Sequence, residues 1–269
     1  MAEQESPLER LVAAVKASAR YRHVSAAFIA RIGAQELAKR PNLKAAIKAT
    51  KNRLHQVGGA YLEARPDYRA CLERLRATFR GNLDDLRPLS LEIMRAHAST
   101  RERLPILEEF YNSIFGALPP VHSVLDVGCG LNPLALPWMP LATGASYYAC
   151  DIYEDLVAFV GEFLGLVAVS GGAWVCDVLD EVPRQKVDVA LVLKLIPCLE
   201  QIDRAAGRRL LDELNADHLV VSFPAQSLCG VRKGMPATYE AHFRELVGGR
   251  DWQVRRFAFS GELAFLVSK

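Results

Sequence analysis

Apolar residues recur every three or four positions through roughly the first 115 residues, which is the spacing of amphipathic helices. Ser6 and Pro7 are typical of a helix start, because Ser can cap the first turn and Pro fits its first position. Pro119 and Pro120 end the helical part. The pattern predicts helices over residues 6–20, 25–40, 42–57, 67–80, 84–95 and 99–115.

Short apolar runs alternate with helical segments in the rest of the chain. They predict strands over residues 123–128, 146–151, 173–178, 187–193, 218–223, 252–259 and 262–268, a short helix after Pro133, and helices over 154–165, 199–214 and 236–247. Only the turn at Ser260 and Gly261 separates the last two strands, so they must form an antiparallel hairpin.

This order of elements is typical of the class I S-adenosylmethionine-dependent methyltransferase fold, a Rossmann-like α/β domain with a seven-stranded sheet and a terminal antiparallel hairpin. We therefore expect two domains. Residues 1–118 would form an all-helical domain, and residues 119–269 would form the α/β domain.

A glycine turn follows the first predicted strand. Asp126 ends that strand, and Gly128 and Gly130 allow the backbone to approach a ligand closely. Asp126 can act on a cationic ligand group or fix the turn. The next two predicted strands also lead to acids, Asp151 and Asp177. An acid about 20 residues after such a turn binds ribose hydroxyls in open α/β sheets.

The spacing around these glycines is neither that of dinucleotide-binding loops nor that of phosphate loops. A glycine turn with three following acids suits S-adenosylmethionine, which carries a ribose and a sulfonium but no phosphate, better than a nicotinamide dinucleotide. The alternative is that the acids only cap the helices that follow them.

Charge is unevenly distributed, although the net charge of the 269 residues is only +2. Residues 1–104 contain 20 Lys and Arg against 11 Asp and Glu, whereas the remaining residues contain 13 against 20. The basic part could bind a polyanion while the acidic part holds a cationic cofactor. A merely solvated helical surface explains the same charges equally well.

The six cysteines form no Cys-x-x-Cys pair, and several fall in predicted buried strands. Disulfides and a metal site are therefore not expected. The first ten residues are acidic and polar, and no apolar stretch reaches 18 residues. These features indicate a soluble protein of the reducing cytoplasm that does not bind a membrane.

Several motifs resemble one family, the bacterial 16S rRNA guanine-N7 methyltransferases that confer aminoglycoside resistance. They occur in the family's order between about residues 50 and 240. The most specific are His-Ala-Ser-Thr-Arg-Glu-Arg-Leu at 97–104 and Ser-Phe-Pro-Ala-Gln-Ser-Leu at 222–228. Gly128 departs from the Ala of some members, and the loop at 229–231 is less glycine-rich. Further matching stretches lie at residues 53–55, 59–61, 125–134, 150–152, 194–197 and 230–235.

The resemblance implies that the helical domain docks on the assembled 30S subunit and that the α/β domain binds S-adenosylmethionine. The enzyme would methylate N7 of a guanine in the decoding-site helix of 16S rRNA. No obligate protein partner is expected. Methylation of another rRNA nucleotide, such as adenine N1, and ribosome binding without activity are the alternatives.

The resemblance also implies roles for single residues. Arg103 would bind the cofactor carboxylate, Asp151 the ribose, and Asp177 with Val178 would flank the adenine. Tyr61 and residues 97–99 would form a lid. Together with the glycine turn, the expected cofactor-binding residues are Tyr61, His97, Ala98, Ser99, Arg103, Asp126, Gly128, Gly130, Asp151, Asp177, Val178, Leu193 and Gln201.

Guanine N7 has a free lone pair, so its methylation needs no general base, and orientation can supply most of the catalysis. Lys194, Arg232 and Lys233 follow predicted strands and could act on the target nucleotide and its phosphates. The alternative is an ordinary strand-end lysine and a solvated loop. The expected RNA-docking residues on the predicted helix 42–57 are Lys44, Lys48, Lys51 and Arg53.

Overall fold

The computed structural model describes residues 5–59, 65–225 and 235–269. Within these residues, seven strands form one sheet in the order β3-β2-β1-β4-β5-β7-β6. The strands are β1 (Ser123–Val127), β2 (Ser146–Asp151), β3 (Ser170–Val175), β4 (Val187–Leu193), β5 (Ala216–Pro224), β6 (Gln253–Phe259) and β7 (Glu262–Ser268).

The first five strands are parallel, and β7 lies antiparallel between β5 and β6. The predicted terminal hairpin is therefore confirmed, and Gly261 makes its turn with a φ of +92°. The central strands β1 and β4 are almost wholly buried, as expected of strands covered on both faces. Their carboxyl ends meet at one edge of the sheet.

The helices flank the sheet and precede it. They are α1 (Pro7–Lys16), α2 (Ala26–Leu37), α3 (Leu43–Leu54), α4 (Tyr68–Thr78), α5 (Arg87–Met94), α6 (Ala98–Arg103), α7 (Leu107–Phe115), α8 (Glu154–Leu166), α9 (Ile196–Glu200), α10 (Ala206–Glu213) and α11 (Met235–Val247). None of these helices is long and apolar enough to cross a membrane, within the part of the chain that the structure describes.

Local sequence explains where several helices begin. The Ser6 Oγ accepts a hydrogen bond from the Glu9 amide, and the Glu9 carboxylate accepts one from the Ser6 amide. This reciprocal cap and Pro7 start α1, as predicted. Pro88 lies in the first turn of α5, where a missing amide hydrogen costs nothing.

Three predicted elements differ from the structure. The predicted helix 99–115 is two helices, because a 3₁₀ segment containing Pro105 separates α6 from α7. The predicted helix 199–214 is also two, α9 and α10, separated by turns. The strand predicted over 173–178 lies instead at Ser170–Val175, so Asp177 follows β3 by two residues.

The N-terminal helices pack in two groups. Helices α1, α2 and α3 pack on one another and form a three-helix bundle. Helix α4 packs on α8, and α5 and α7 pack on the 3₁₀ segment Asn132–Trp138 that follows β1. A division of the chain at residue 118 stays a prediction.

Candidate active-site cleft

A cleft opens at the carboxyl ends of β1, β2 and β4, with about 720 Å³ of space that is partly open to solvent. Most of its wall is apolar. Leu193 and Leu195 come from the end of β4, and Phe28 and Val57 come from the N-terminal bundle α1–α3 and the turn after it. The cleft is therefore a composite of both parts of the chain, and its apolar wall suits a flat aromatic group.

The glycine turn after β1 forms one side of the cleft. Gly128 and Gly130 have φ angles of +63° and +50°, which side chains with a Cβ rarely adopt. A Cβ on Gly130 would lie 3.0 Å from the His97 ring, and one on Gly128 would lie 2.8 Å from the Leu195 side chain. Neighbouring side chains therefore occupy the space that a side chain at either position would need, and of the two glycines Gly128 lines the cleft.

Asp151 ends β2 and lines the cleft. Its Oδ2 accepts from the Gly130 amide at 2.9 Å, and its Oδ1 accepts from the Ile152 amide at 2.7 Å. Burial raises the pKa of this carboxyl, against the opposing effect of the amide donors. The carboxylate is fixed in direction and retains lone pairs for two hydroxyl groups.

Asp177 and Val178 form the next part of the wall. The Asp177 Oδ2 accepts from Nε of Arg31 on α2 at 2.7 Å, and its Oδ1 accepts from the Leu179 amide at 3.0 Å. Sequence reasoning missed Arg31, because the contact joins residues 146 positions apart.

Lys194 lies in the floor of the cleft, immediately after β4, with a φ of +59°. Its Nζ is 2.7 Å from Glu102 and 3.3 Å from Glu262, and it donates to the Ser99 carbonyl at 3.3 Å. The buried ammonium is thus directed at the protein's own carboxylates and not at solvent, where an RNA phosphate would lie. The predicted role of Lys194 at the target nucleotide stays a prediction.

Arg103, expected to bind the cofactor carboxylate, is 1% exposed and does not line the cleft. Its Nε and Nη2 donate to the Glu262 carboxylate at 2.6–3.1 Å, and its Nη1 donates to Asn132 at 2.9 Å. Glu262 was missed by sequence reasoning, although one acid at the start of the apolar strand β7 was a usable signal.

Asp126 also lies behind the cleft and not in its wall, and it is 1% exposed. Its Oδ2 accepts from Asn132 Nδ2 at 2.9 Å and from the Tyr147 hydroxyl at 2.7 Å. Burial raises the pKa of this carboxyl to about 7. Of the two roles expected for Asp126, these contacts match fixing the turn.

His97 and Ser99 line the cleft at the start of α6, and Ala98 is buried behind them. The His97 Nδ1 lies 3.0 Å from the Ser99 Oγ. Burial lowers the pKa of His97 to about 4, and the nearby charges of Arg103 and Lys194 add to this effect. The imidazole is therefore neutral near pH 7, and it packs on Gly130 as part of the wall.

The ribosomal RNA methyltransferase (FmrO) family matches residues 17–266. The chain belongs to this family. A 16S rRNA (guanine(1405)-N(7))-methyltransferase of Micromonospora echinospora is 36% identical over 268 residues, covering 98% of each protein. One of Frankia casuarinae with the same name is 39% identical over 270 residues, covering 99% of this chain and 95% of the relative.

Solved structures agree with this assignment. The crystal structure of the 16S rRNA methyltransferase RmtF in complex with S-adenosyl-L-homocysteine has a TM-score of 0.84 and 31% identity, and it covers 99% of each chain. The 16S rRNA methylase RmtB has a TM-score of 0.80 and 29% identity, covering 97% of this chain and 98% of that one. Both matches include the N-terminal helices as well as the sheet.

Four further residues were expected at the site of this FmrO-family methyltransferase. Gln201 follows α9 and is exposed, and it does not line the cleft. Tyr61, Arg232 and Lys233 lie outside the described residues, so their predicted roles are untested. Among the residues that are described, no three His, Cys, Asp or Glu side chains are grouped so that they could hold a metal ion.

The predicted docking face of the methyltransferase lies on α3. Lys44 and Lys48 are exposed and Lys51 is half-buried, and their spacing places them on one side of the helix. Arg53 differs, because its Nη1 lies 3.6 Å from Glu36 and its Nη2 donates to the Gln201 carbonyl at 3.0 Å. These contacts direct Arg53 toward the protein, so the basic face consists of the three lysines.

Proposed function

We propose that this methyltransferase transfers a methyl group from S-adenosylmethionine to N7 of one guanine in 16S rRNA. The base is the one that its relatives' name numbers 1405. The substrate is the decoding-site helix within the assembled 30S subunit. The ribosome that carries the methyl group resists aminoglycosides. The observation that carries this proposal is the composite cleft, with its glycine turn and Asp151, in a chain 36–39% identical to such enzymes over nearly its full length.

The residues around the cleft fit S-adenosylmethionine. Asp151 would bind the ribose hydroxyls, and the wall at Asp177 and Val178 would flank the adenine. Lys194, which lines the cleft, would lie nearest the methionine carboxylate, whereas Arg103 is held by Glu262 behind the cleft. The methionine chain would lie against the backbone at Gly128, which lines the cleft with a left-handed φ.

The bound cofactor supplies a methyl group already activated by its sulfonium. The chain therefore has to orient guanine N7 toward the methyl carbon and exclude water. Transfer to a free lone pair needs no general base, and His97 packs against Gly130 as part of the cleft wall. The apolar walls from Phe28 and Leu193 keep the reacting groups away from solvent.

Recognition of the subunit would use the lysine face of α3 together with Arg232 and Lys233. Lysines on one helix face can neutralise rRNA phosphates without reading sequence. A ribosomal substrate places the enzyme in the cytoplasm, and this mode of binding requires no membrane and no obligate protein partner.

The test is transfer of a labelled methyl group from S-adenosylmethionine to purified 30S subunits. We expect label in the 16S rRNA of intact subunits. We also expect a bacterial host that expresses the chain to resist gentamicin and kanamycin. An Asp151→Ala variant should show neither methyl transfer nor resistance, because it lacks the carboxylate that would bind the ribose. A soluble protein that binds the cofactor but labels no rRNA particle would contradict the proposal.

A further inference from the structure

The loop between β3 and β4 is held by buried side chains and by hydrogen bonds to other elements. Residues 176–186 contain no helix or strand. Val178, Leu179 and Val182 are buried. The Cys176 amide donates to the Asp151 carbonyl at 2.9 Å, and the Leu179 carbonyl accepts from Arg209 at 3.3 Å. Asp177 and Val178 form the wall that would flank the adenine. One further contact from outside the loop fixes the Asp177 carboxylate itself.

That contact comes from the N-terminal bundle. Arg31 on α2 donates through Nε to Asp177 at 2.7 Å and through Nη2 to Asp180, so one guanidinium binds two carboxylates of the loop. The Asp177 side chain is only 6% exposed, and Arg31 is 30% exposed. Because the planar guanidinium binds two carboxylates, it restricts the orientation of the loop relative to α2 as well as its distance from α2.

The bundle also contacts the neighbouring loop, which follows Asp151. The Ser25 amide donates to the Ile152 carbonyl at 2.8 Å, and the Glu154 amide donates to the His23 carbonyl at 2.8 Å. Val24 and Tyr153 form an isolated antiparallel bridge between them. Both loops expected to bind the adenosine half of the cofactor are therefore bonded to the bundle.

We infer that Arg31 is a positioning residue for the adenosine half of the cofactor, through which the bundle fixes the Asp177–Asp180 loop. The inference rests on the proposed use of S-adenosylmethionine. It gives the bundle a second task besides docking on rRNA, because the cofactor cleft is incomplete without α2. Arg31 acts through Asp177 and does not touch the reacting atoms.

Calorimetric titration with S-adenosylhomocysteine and with methylthioadenosine tests this inference on the full chain. Arg31→Ala should weaken both ligands about tenfold, as expected for loss of charge-assisted hydrogen bonds that order the loop. Equal losses are expected because both ligands carry the adenosine. Arg31→Lys should recover part of the affinity, since one ammonium can reach one of the two carboxylates.

Arg40→Ala is the matched control. It removes another arginine of the same bundle, paired with Glu36 away from the cleft, and should leave both affinities unchanged. In methyl-transfer assays Arg31→Ala should raise KM for S-adenosylmethionine but not KM for 30S subunits, because the docking face lies on α3. A loss of fold alone would not produce this split.

The outcomes separate the inference from the proposed function. Wild-type protein that binds no S-adenosylhomocysteine would contradict the proposed function. Wild-type binding together with unchanged binding by a folded Arg31→Ala would overturn the inference alone. If Arg31→Ala does not fold, Asp180→Ala removes one of the two contacts at an exposed position and should still weaken both ligands. Unchanged affinity in that variant would equally overturn the inference.

Discussion

Glu262 holds two buried cations, and its removal should destabilise the fold strongly. Its carboxylate is 1% exposed and lies 2.6 Å from Arg103 and 3.3 Å from Lys194, which are themselves 1% and 3% exposed. Glu262→Ala would leave both cations in the interior without this partner. Breaking a buried pair in this way costs about 3–5 kcal/mol, a large part of the roughly 5–15 kcal/mol that stabilises a typical domain.

Urea denaturation at pH 7 measures this loss as a change in the free energy of unfolding. The matched control is Asp217→Ala, which breaks an ion pair with Lys186 whose side chains are 55% and 59% exposed. That control should cost less than about 1 kcal/mol. The loss of stability in Glu262→Gln should fall between those of the two Ala variants, since Gln keeps the shape of the side chain but removes its charge. A Glu262→Ala protein as stable as the control would refute the reasoning.

The ion pairs of Glu262 with Arg103 and Lys194 also predict that the stability of the fold depends on pH. Burial opposes ionisation of Glu262, but the charges of Arg103 and Lys194 outweigh it and lower its pKa below the ordinary 4.5. A lowered pKa stabilises the folded state above about pH 4.5, and this contribution is lost as the pH falls through the folded-state value. Glu262→Gln should therefore lose less stability than wild type on acidification.

Three further predictions concern the turn and the docking face. Asp126 has a pKa of about 7 against an ordinary 3.8, so its contribution to stability falls as the pH rises between those values, by at most about 4 kcal/mol. Asp126→Asn should abolish that slope in urea titrations at pH 4 to 8. Gly130→Ala should weaken S-adenosylhomocysteine binding in calorimetry, because it strains a φ of +50° and crowds the His97 ring. Gly144→Ala also strains a positive φ, of +75°, but has open space around it, so it should leave S-adenosylhomocysteine binding unchanged. Replacing the three lysines of the α3 face by Gln should reduce the salt dependence of 30S binding by a slope of roughly 2–3, and an unchanged slope would place the docking surface elsewhere.

Periodicity was sufficient for the fold. The apolar runs that form β1, β2 and β4 predicted the central strands, and the short turn at Gly261 required an antiparallel hairpin. Periodicity was less informative where the pattern was weak. Strand β3 contains two glycines and lies three residues earlier than predicted, and the turns after α9 interrupt what looked like one helix.

The site was predicted only in part, because several of its contacts join distant residues. The ion pair between Arg103 and Glu262 spans 159 positions, so the resemblance could name Arg103 but not the partner that buries it. The contact between Arg31 and Asp177 spans 146 positions and crosses from the bundle to the sheet. In contrast, Gly130 and Asp151 could be predicted, since a glycine turn followed by a strand-end acid has a recognisable spacing.

The position of the transferred methyl group tests the central claim most directly. After reaction with the enzyme, 16S rRNA from 30S subunits is treated with borohydride and aniline, which cleave the chain at N7-methylguanine, and the cut is located by primer extension. The account predicts one new cut, at the guanine that the relatives' name numbers 1405. A methyl group located on an adenine, or modified rRNA that aniline does not cleave, would contradict it.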